Sequence, residues 1–212
     1  MFTNKEIIEL IALLKDSYPE ASCALDYKKD YELLFSARLA AQCTDARVNM
    51  VTPILFARYP TLEALRDAQA SEIEEIIHSC GFFRAKARDM INASAMLISD
   101  FGGRVPDNME DLLKLPGVGR KTANLMLGDI FNKPAVVVDT HCIRLANRIG
   151  LVQTKDPAKI ETALRGMLPP AESSDFCHRL VLHGRAVCTA RNPGCGDCRL
   201  GGICRKLVAA KA

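Results

Sequence analysis

Four cysteines stand at Cys188, Cys195, Cys198 and Cys204, separated by six, two and five residues. Seventeen residues with four thiols and Pro/Gly-rich turns between them are too short and too loop-like to build a core of their own. They can wrap one metal centre, and the segment must pack on something else in the chain. On the residues alone, four thiolates hold either a tetrahedral zinc ion or an iron–sulfur cube, with zinc the simpler choice. The other five cysteines, Cys23, Cys43, Cys80, Cys142 and Cys177, are scattered, mostly through apolar helical stretches, and read as small buried hydrophobes.

Helical patterning fills the rest of the chain. Thr3-Asn4-Lys5-Glu6 is a capping-box pattern, followed by Ile7, Leu10, Ile11 and Leu14 at helical spacing. Tyr31 to Cys43 predicts a buried central helix, and Asp45 to Tyr59 a helix bent or broken by Pro53. Ser71-Glu72-Ile73-Glu74 opens a capped helix running to about Cys80, and Phe83 to Phe101 gives the next. Asp107-Asn108-Met109-Glu110 caps a short helix ending near Leu115, and Arg120 to Phe131 is helical. Asp139 to Ile149, Pro157 to Leu168 and Ser174 to Thr189 predict three more. Ala135–Val138 is extended, but no second strand is evident to pair with it. The class is all-α, with a domain boundary near 132–138.

The start, MFTNKEIIEL, lacks the basic and apolar regions of a secretory leader, and no apolar run approaches membrane-spanning length. These features predict a reducing, cytoplasmic setting, where clustered cysteines usually mean metal. Net charge is only +3. Its distribution is more telling: Arg185, Arg191, Arg199, Arg205, Lys206 and Lys211 face a single acid, Asp197, as phosphate contact requires.

Between two helices lies LPGVGRKTA, residues 115–123. Gly117 and Gly119 permit backbone angles that a Cβ forbids and let the main chain approach a bulky anion. The N–H groups at the start of the next helix point outward and the helix dipole favours negative charge there, so the turn can seat a DNA phosphate without reading sequence. Lys121 falls in the first helical turn. Nucleophilic attack needs a neutral amine, and the positive end of the helix dipole and partial burial both disfavour the ammonium. The simpler role is phosphate pairing. Asp139 opens the following helix in Val138-Asp139-Thr140-His141 and makes a natural N-cap. An antiparallel return would bring it to the lysine, where a carboxylate can stabilise a cationic sugar.

Taken together, LPGVGRKTAN (115–124), VDTH with Arg144 (138–144), LHGR (182–185) and the cysteine spacing resemble the endonuclease III family of helix-hairpin-helix DNA glycosylase/AP lyases, across essentially the whole chain. The resemblance implies a six-helix barrel domain at 24–134, a second helical domain of 1–23 with 135–212, and a DNA cleft between them. It implies a [4Fe–4S] cluster on Cys188, Cys195, Cys198 and Cys204. Lys121 matches the Schiff-base lysine and Asp139 the catalytic aspartate.

The implied activity is removal of oxidised pyrimidines from duplex DNA, then cleavage 3′ to the abasic site by β-elimination, by a monomer with no membrane contact. Gln42 matches the residue that fills the vacated base stack, and Asp45 and His141 lie at pocket-side positions. Phe82 stands where a leucine wedge is usual, Arg84 replaces a commoner small polar residue, and Ala40 stands where serine is frequent. Gly117, Val118, Gly119, Arg120, His141, Arg144 and Arg191 complete the expected DNA contacts. Two other readings remain: a DNA-binding redox sensor without catalysis, and a monofunctional mismatch glycosylase, which the presence of Lys121 disfavours.

Overall fold

The computed structural model describes residues 2–206, so Lys211 of the basic tail lies outside the described residues. In chain order the α-helices are α1 (Asn4–Ser17), α2 (Asp30–Leu39), α3 (Asp45–Arg58), α4 (Leu62–Arg66), α5 (Ala70–Ile77), α6 (Phe83–Phe101), α7 (Met109–Leu112), α8 (Arg120–Asp129), α9 (Thr140–Ile149), α10 (Pro157–Met167) and α11 (Ser173–Ala186). One-turn 3-10 helices occupy His78–Cys80 and Pro170–Glu172. Among the described residues no strand forms, and no helix is long and apolar enough to cross a membrane. The fold is all-α.

The chain divides into two compact units: Cys23–Phe131, and Met1–Ser22 with Asn132–Ala212. The first unit holds α2–α8. Helix α2 is buried on nearly every side and touches α3, α6 and α8, while α4 and α5 pack on α6. Its core is built from Leu33, Phe35, Leu39, Leu55, Leu65, Ile73, Met90 and Leu97. Glu32 is buried within it because its Oε2 accepts the amides of Lys28 (2.7 Å) and Lys29 (3.3 Å). The second unit packs α11 against α1 and α9, with α10 on α9. Leu10, Leu14, Leu145, Leu164, Phe176 and Leu180 fill it. The Ala135–Val138 connector is buried without a strand partner, and Ser173 Oγ accepts the Ala135 amide at 3.1 Å.

Several expectations need correction. Helix α2 stops at Leu39 rather than Cys43. Pro53 does not break α3, which runs through it. Ser71 is not a cap, because α5 starts at Ala70 with Gln69 before it. Helix α4 has no counterpart among the expected elements; Thr61 caps it, its Oγ1 accepting the Ala64 amide at 3.2 Å. The Thr3–Glu6 capping box forms, with Glu6 Oε2 taking the Thr3 amide at 2.7 Å.

Candidate active site and cysteine cavity

In the Cys23–Phe131 unit the glycine turn joins α7 to α8. Val118 N donates to Leu115 O at 3.1 Å, which closes the turn. Gly117 has φ +76°, and a Cβ there would lie 2.6 Å from Arg38 Nε and 2.7 Å from Asp89 Oδ2. Glycine is therefore required twice over, by the left-handed backbone and by the Arg38–Asp89 ion pair beneath it. That pair is close, with Nη2 2.6 Å and Nε 2.7 Å from Asp89 Oδ2.

Gly119 corrects the expectation. Its φ of −104° suits any residue, and a Cβ would meet nothing within 4 Å. It is the N-cap of α8 with no side chain to occupy the cap, and the space outside it is open. Arg120 and Lys121 follow as exposed residues in the first turn, so the partial burial expected for Lys121 is absent. Val118 is half-buried.

Two exposed side chains in the same unit sit on left-handed backbone: Gln42 (φ +56°) and Phe82 (φ +47°). Phe82 is 66% exposed, which removes core packing as its explanation. Asp45 lies half-buried in the first turn of α3, whose N-cap Thr44 accepts the Arg47 amide at 3.3 Å. Burial pushes the nearby Cys23 thiol up to about 12, helped by the carboxylates of Asp129 and Asp45. The Lys86 side chain is fully buried between the turns that carry Gln42 and Phe82; burial pulls its ammonium below the ordinary lysine value, while Cys80 and Cys43 oppose this.

In the other unit Asp139 caps α9, its Oδ1 accepting the Cys142 amide at 2.7 Å. His141 and Arg144 follow on α9, with Arg144 Nη2 3.1 Å from His141 Nδ1. Arg144 Nη2 also donates to Gly184 O (2.9 Å) and Cys188 O (3.2 Å), and Nε to Cys188 O (3.3 Å). Arg144 thus serves an internal role, clamping the end of α11 and the first cysteine to α9. Gly184 allows this approach, since a Cβ there would lie 2.7 Å from His141 Nδ1 and 2.8 Å from Arg144 Nη2.

Cys188, Cys195, Cys198 and Cys204 line one open cavity, together with Arg148, His183 and Leu200. Burial raises the Cys198 thiol, and the other three cysteines add to the rise, as expected for four gathered sulfurs. Among the described residues no three His, Cys, Asp or Glu side chains converge on a single-ion position. His183 is buried, with Nε2 3.6 Å from Cys198 Sγ and Nδ1 3.1 Å from Tyr18 Oη. Burial lowers its pKa. Arg148 lies 3.6 Å from Cys188 Sγ and donates to Thr189 O (2.6 Å) and Ala190 O (2.7 Å), fixing the loop that presents exposed Arg191.

The helix-hairpin-helix base-excision DNA repair superfamily, described as "HhH-GPD superfamily base excision DNA repair protein", matches residues 35–170. Endonuclease III of Synechocystis sp. is 49% identical over 95% of this chain and 93% of that protein. The chain belongs to the endonuclease III family. Endonuclease III of Bacillus subtilis is 39% identical over 97% of this chain and 94% of its own length. A solved structure of a trapped endonuclease III–DNA covalent intermediate superimposes with a TM-score of 0.93 at 38% identity, covering all of both chains.

Within this endonuclease III framework, sequence reasoning missed Lys86, Arg148, His183 and Tyr18, whose roles are contacts between distant segments. His183 and Gly184 belong to the LHGR run, which offered a signal without a reason. The basic tail is also less positive than its composition. Arg199 Nη1 pairs with Asp16 Oδ2 at 2.6 Å, and Arg205 pairs with Glu6, both on α1.

Proposed function

We propose that this chain is a base-excision DNA glycosylase with AP lyase activity, acting through a lysine Schiff base on oxidised pyrimidines in duplex DNA. The observation that carries the reading is Lys121: an exposed primary amine in the first turn of α8, beside an open turn whose Gly119 offers no side chain to occupy the helix cap. Backbone amides there seat a phosphate, aided by Val118 and Arg120. The left-handed, exposed Gln42 and Phe82 enter the duplex as a target base is drawn out, which is easiest for weakened pairs. Asp45 and His141 contact the extruded base, and Arg191 holds a phosphate near the cysteine loop.

The chemistry follows. The neutral Lys121 amine attacks C1′ of the damaged nucleotide as the base departs, with the Asp139 carboxylate stabilising positive charge on the sugar. Ring opening gives a protonated Schiff base between Nζ and C1′. That iminium acidifies the C2′ proton, whose removal expels the 3′ phosphate by β-elimination; water then releases Lys121.

Four gathered thiols lining one cavity can hold a metal centre, and the six-two-five spacing shared with the endonuclease III family favours a [4Fe–4S] cluster over one zinc ion. Bound to Cys188, Cys195, Cys198 and Cys204, such a cluster supplies a covalent staple for the 189–194 loop. The protein acts as a monomer, and nine cysteines outside any disulfide suit a reducing cytosol. Borohydride added to the protein with an abasic-site duplex should trap a covalent complex, and Lys121→Gln should abolish both trapping and nicking. Nicking retained by a folded Lys121→Gln protein would sink the reading.

A further inference from the structure

Among the described residues only Gln42, Phe82 and Asn132 adopt positive φ without being glycine. Asparagine tolerates that region; glutamine and phenylalanine do not, and their strain persists only where surrounding structure imposes it. Both side chains are exposed, so the strain serves no buried contact of their own. Behind both turns lies a single ammonium. Lys86 Nζ lies 2.8 Å from each of three carbonyl oxygens, Leu39 O, Ala41 O and Cys80 O. A lysine ammonium has three donors, and all three are thereby used. Ala41 immediately precedes Gln42, and Cys80 lies two residues before Phe82. One buried charge thus joins the turn after α2 to the turn before α6. The side chain is fully buried. Asp89, one helical turn farther along α6, holds Arg38 at the end of α2 and supports the hairpin at Gly117.

We propose that Lys86 is a positioning residue for strand opening: its ammonium holds the turns bearing Gln42 and Phe82 in the strained geometry that presents both side chains to the duplex. This rests on the reading of Gln42 and Phe82 as the residues that enter the base stack. Lys86 itself touches no DNA. A general stabiliser would lower thermal stability alone; a positioning residue slows base extrusion at temperatures where the fold is intact.

The test uses Lys86→Met, which keeps an unbranched stem one atom shorter but loses every donor, and Lys86→Gln, which retains two. The full chain is studied with a duplex carrying 2-aminopurine beside a thymine glycol, whose fluorescence rises as the stack opens. Circular dichroism and thermal melting set a temperature at which each variant is folded. Lys86→Met should slow the fluorescence rise about tenfold, with Lys86→Gln between it and the parent, while affinity for undamaged duplex changes by less than about threefold. Amides 40–43 and 80–83 should lose hydrogen-exchange protection. If Lys86→Met fails to fold, Lys86→Gln decides the matter, and a parental opening rate in the folded variant overturns the proposal. Gln42→Ala and Phe82→Ala separate the two layers. If both open the stack at the parental rate, the reading of those side chains fails and the role of Lys86 with it. If they slow opening and the Lys86 variants do not, only the role of Lys86 fails.

Discussion

The two glycines of the hairpin should respond to substitution in opposite ways. Replacing Gly117 by alanine places a Cβ in a left-handed residue at φ +76°, which costs about 1–2 kcal/mol for an L-amino acid. The same Cβ falls 2.6 Å from Arg38 Nε and 2.7 Å from Asp89 Oδ2, so the ion pair must move. That pair is a partly buried, charge-assisted contact, and disturbing it costs a further ~1–2 kcal/mol. The sum, about 2–4 kcal/mol, lowers the melting temperature by roughly 5–15 °C for a chain of this size.

Gly119 stands at an N-cap with ordinary φ and open space outside. Gly119→Ser supplies an oxygen for the first-turn amides and should raise stability by a few tenths of a kcal/mol. The same oxygen competes with a DNA phosphate for those amides. Loss of one or two such hydrogen bonds, about 1–1.5 kcal/mol, weakens duplex affinity roughly tenfold. Calorimetry and fluorescence anisotropy with an uncleavable abasic analogue measure the two quantities. A Gly119→Ser protein that binds like the parent, or a Gly117→Ala protein that melts like it, refutes the reasoning.

Acid should weaken the unit containing α11 through Glu172. Its pKa is held low by the Lys15 hydrogen bond first and by Arg179, so its contribution is complete above the unfolded value near 4.5 and is lost as pH falls below that through the depressed folded value. Glu172→Gln should therefore flatten the pH dependence of stability below about 4.5, and an unchanged acid limb in urea titrations would exclude the contact as its source. Thiol labelling should be uneven. Burial pushes Cys23 up to about 12 and Cys80 up to about 11, so neither forms appreciable thiolate at pH 8, and iodoacetamide mapping by mass spectrometry should leave both among the slowest sites.

Local signals were legible where a helix writes its own boundaries. The Thr3–Glu6 box and the apolar spacing of Ala87, Met90 and Leu97 required nothing from elsewhere in the chain. Boundaries failed where a distant group intervened. Tyr31 to Cys43 reads as one apolar helix, yet the carbonyls of Leu39 and Ala41 turn toward Lys86 Nζ instead of continuing the helical ladder. Ser71 and Glu74 have capping-box spacing, but the helix had already begun. Helix α4 is five residues long, too short for periodicity, and only its Thr61 cap marks it. In the hairpin, the sequence could not distinguish two glycines that serve different ends: Gly117 answers to a left-handed backbone and a neighbouring ion pair, Gly119 to the space outside.

The same distinction runs through the family's motifs. Lys121, Arg120 and Arg191 are exposed, as contact with a polyanion requires. Arg144, His183 and Gly184 lie in motifs of equal weight, yet they face inward. Arg144 reaches the carbonyls of Gly184 and Cys188, His183 lies between Tyr18 and Cys198, and Gly184 leaves room for both His141 and Arg144. Substituting the inward group should therefore disturb the cysteine loop before it disturbs DNA affinity, because the Cys188 carbonyl and the Cys198 sulfur are the atoms it touches. A motif in this fold records what must be held in place as often as what touches the duplex. Charge alone does not separate the two classes, since Lys86 and Arg144 are as cationic as Lys121. Burial does.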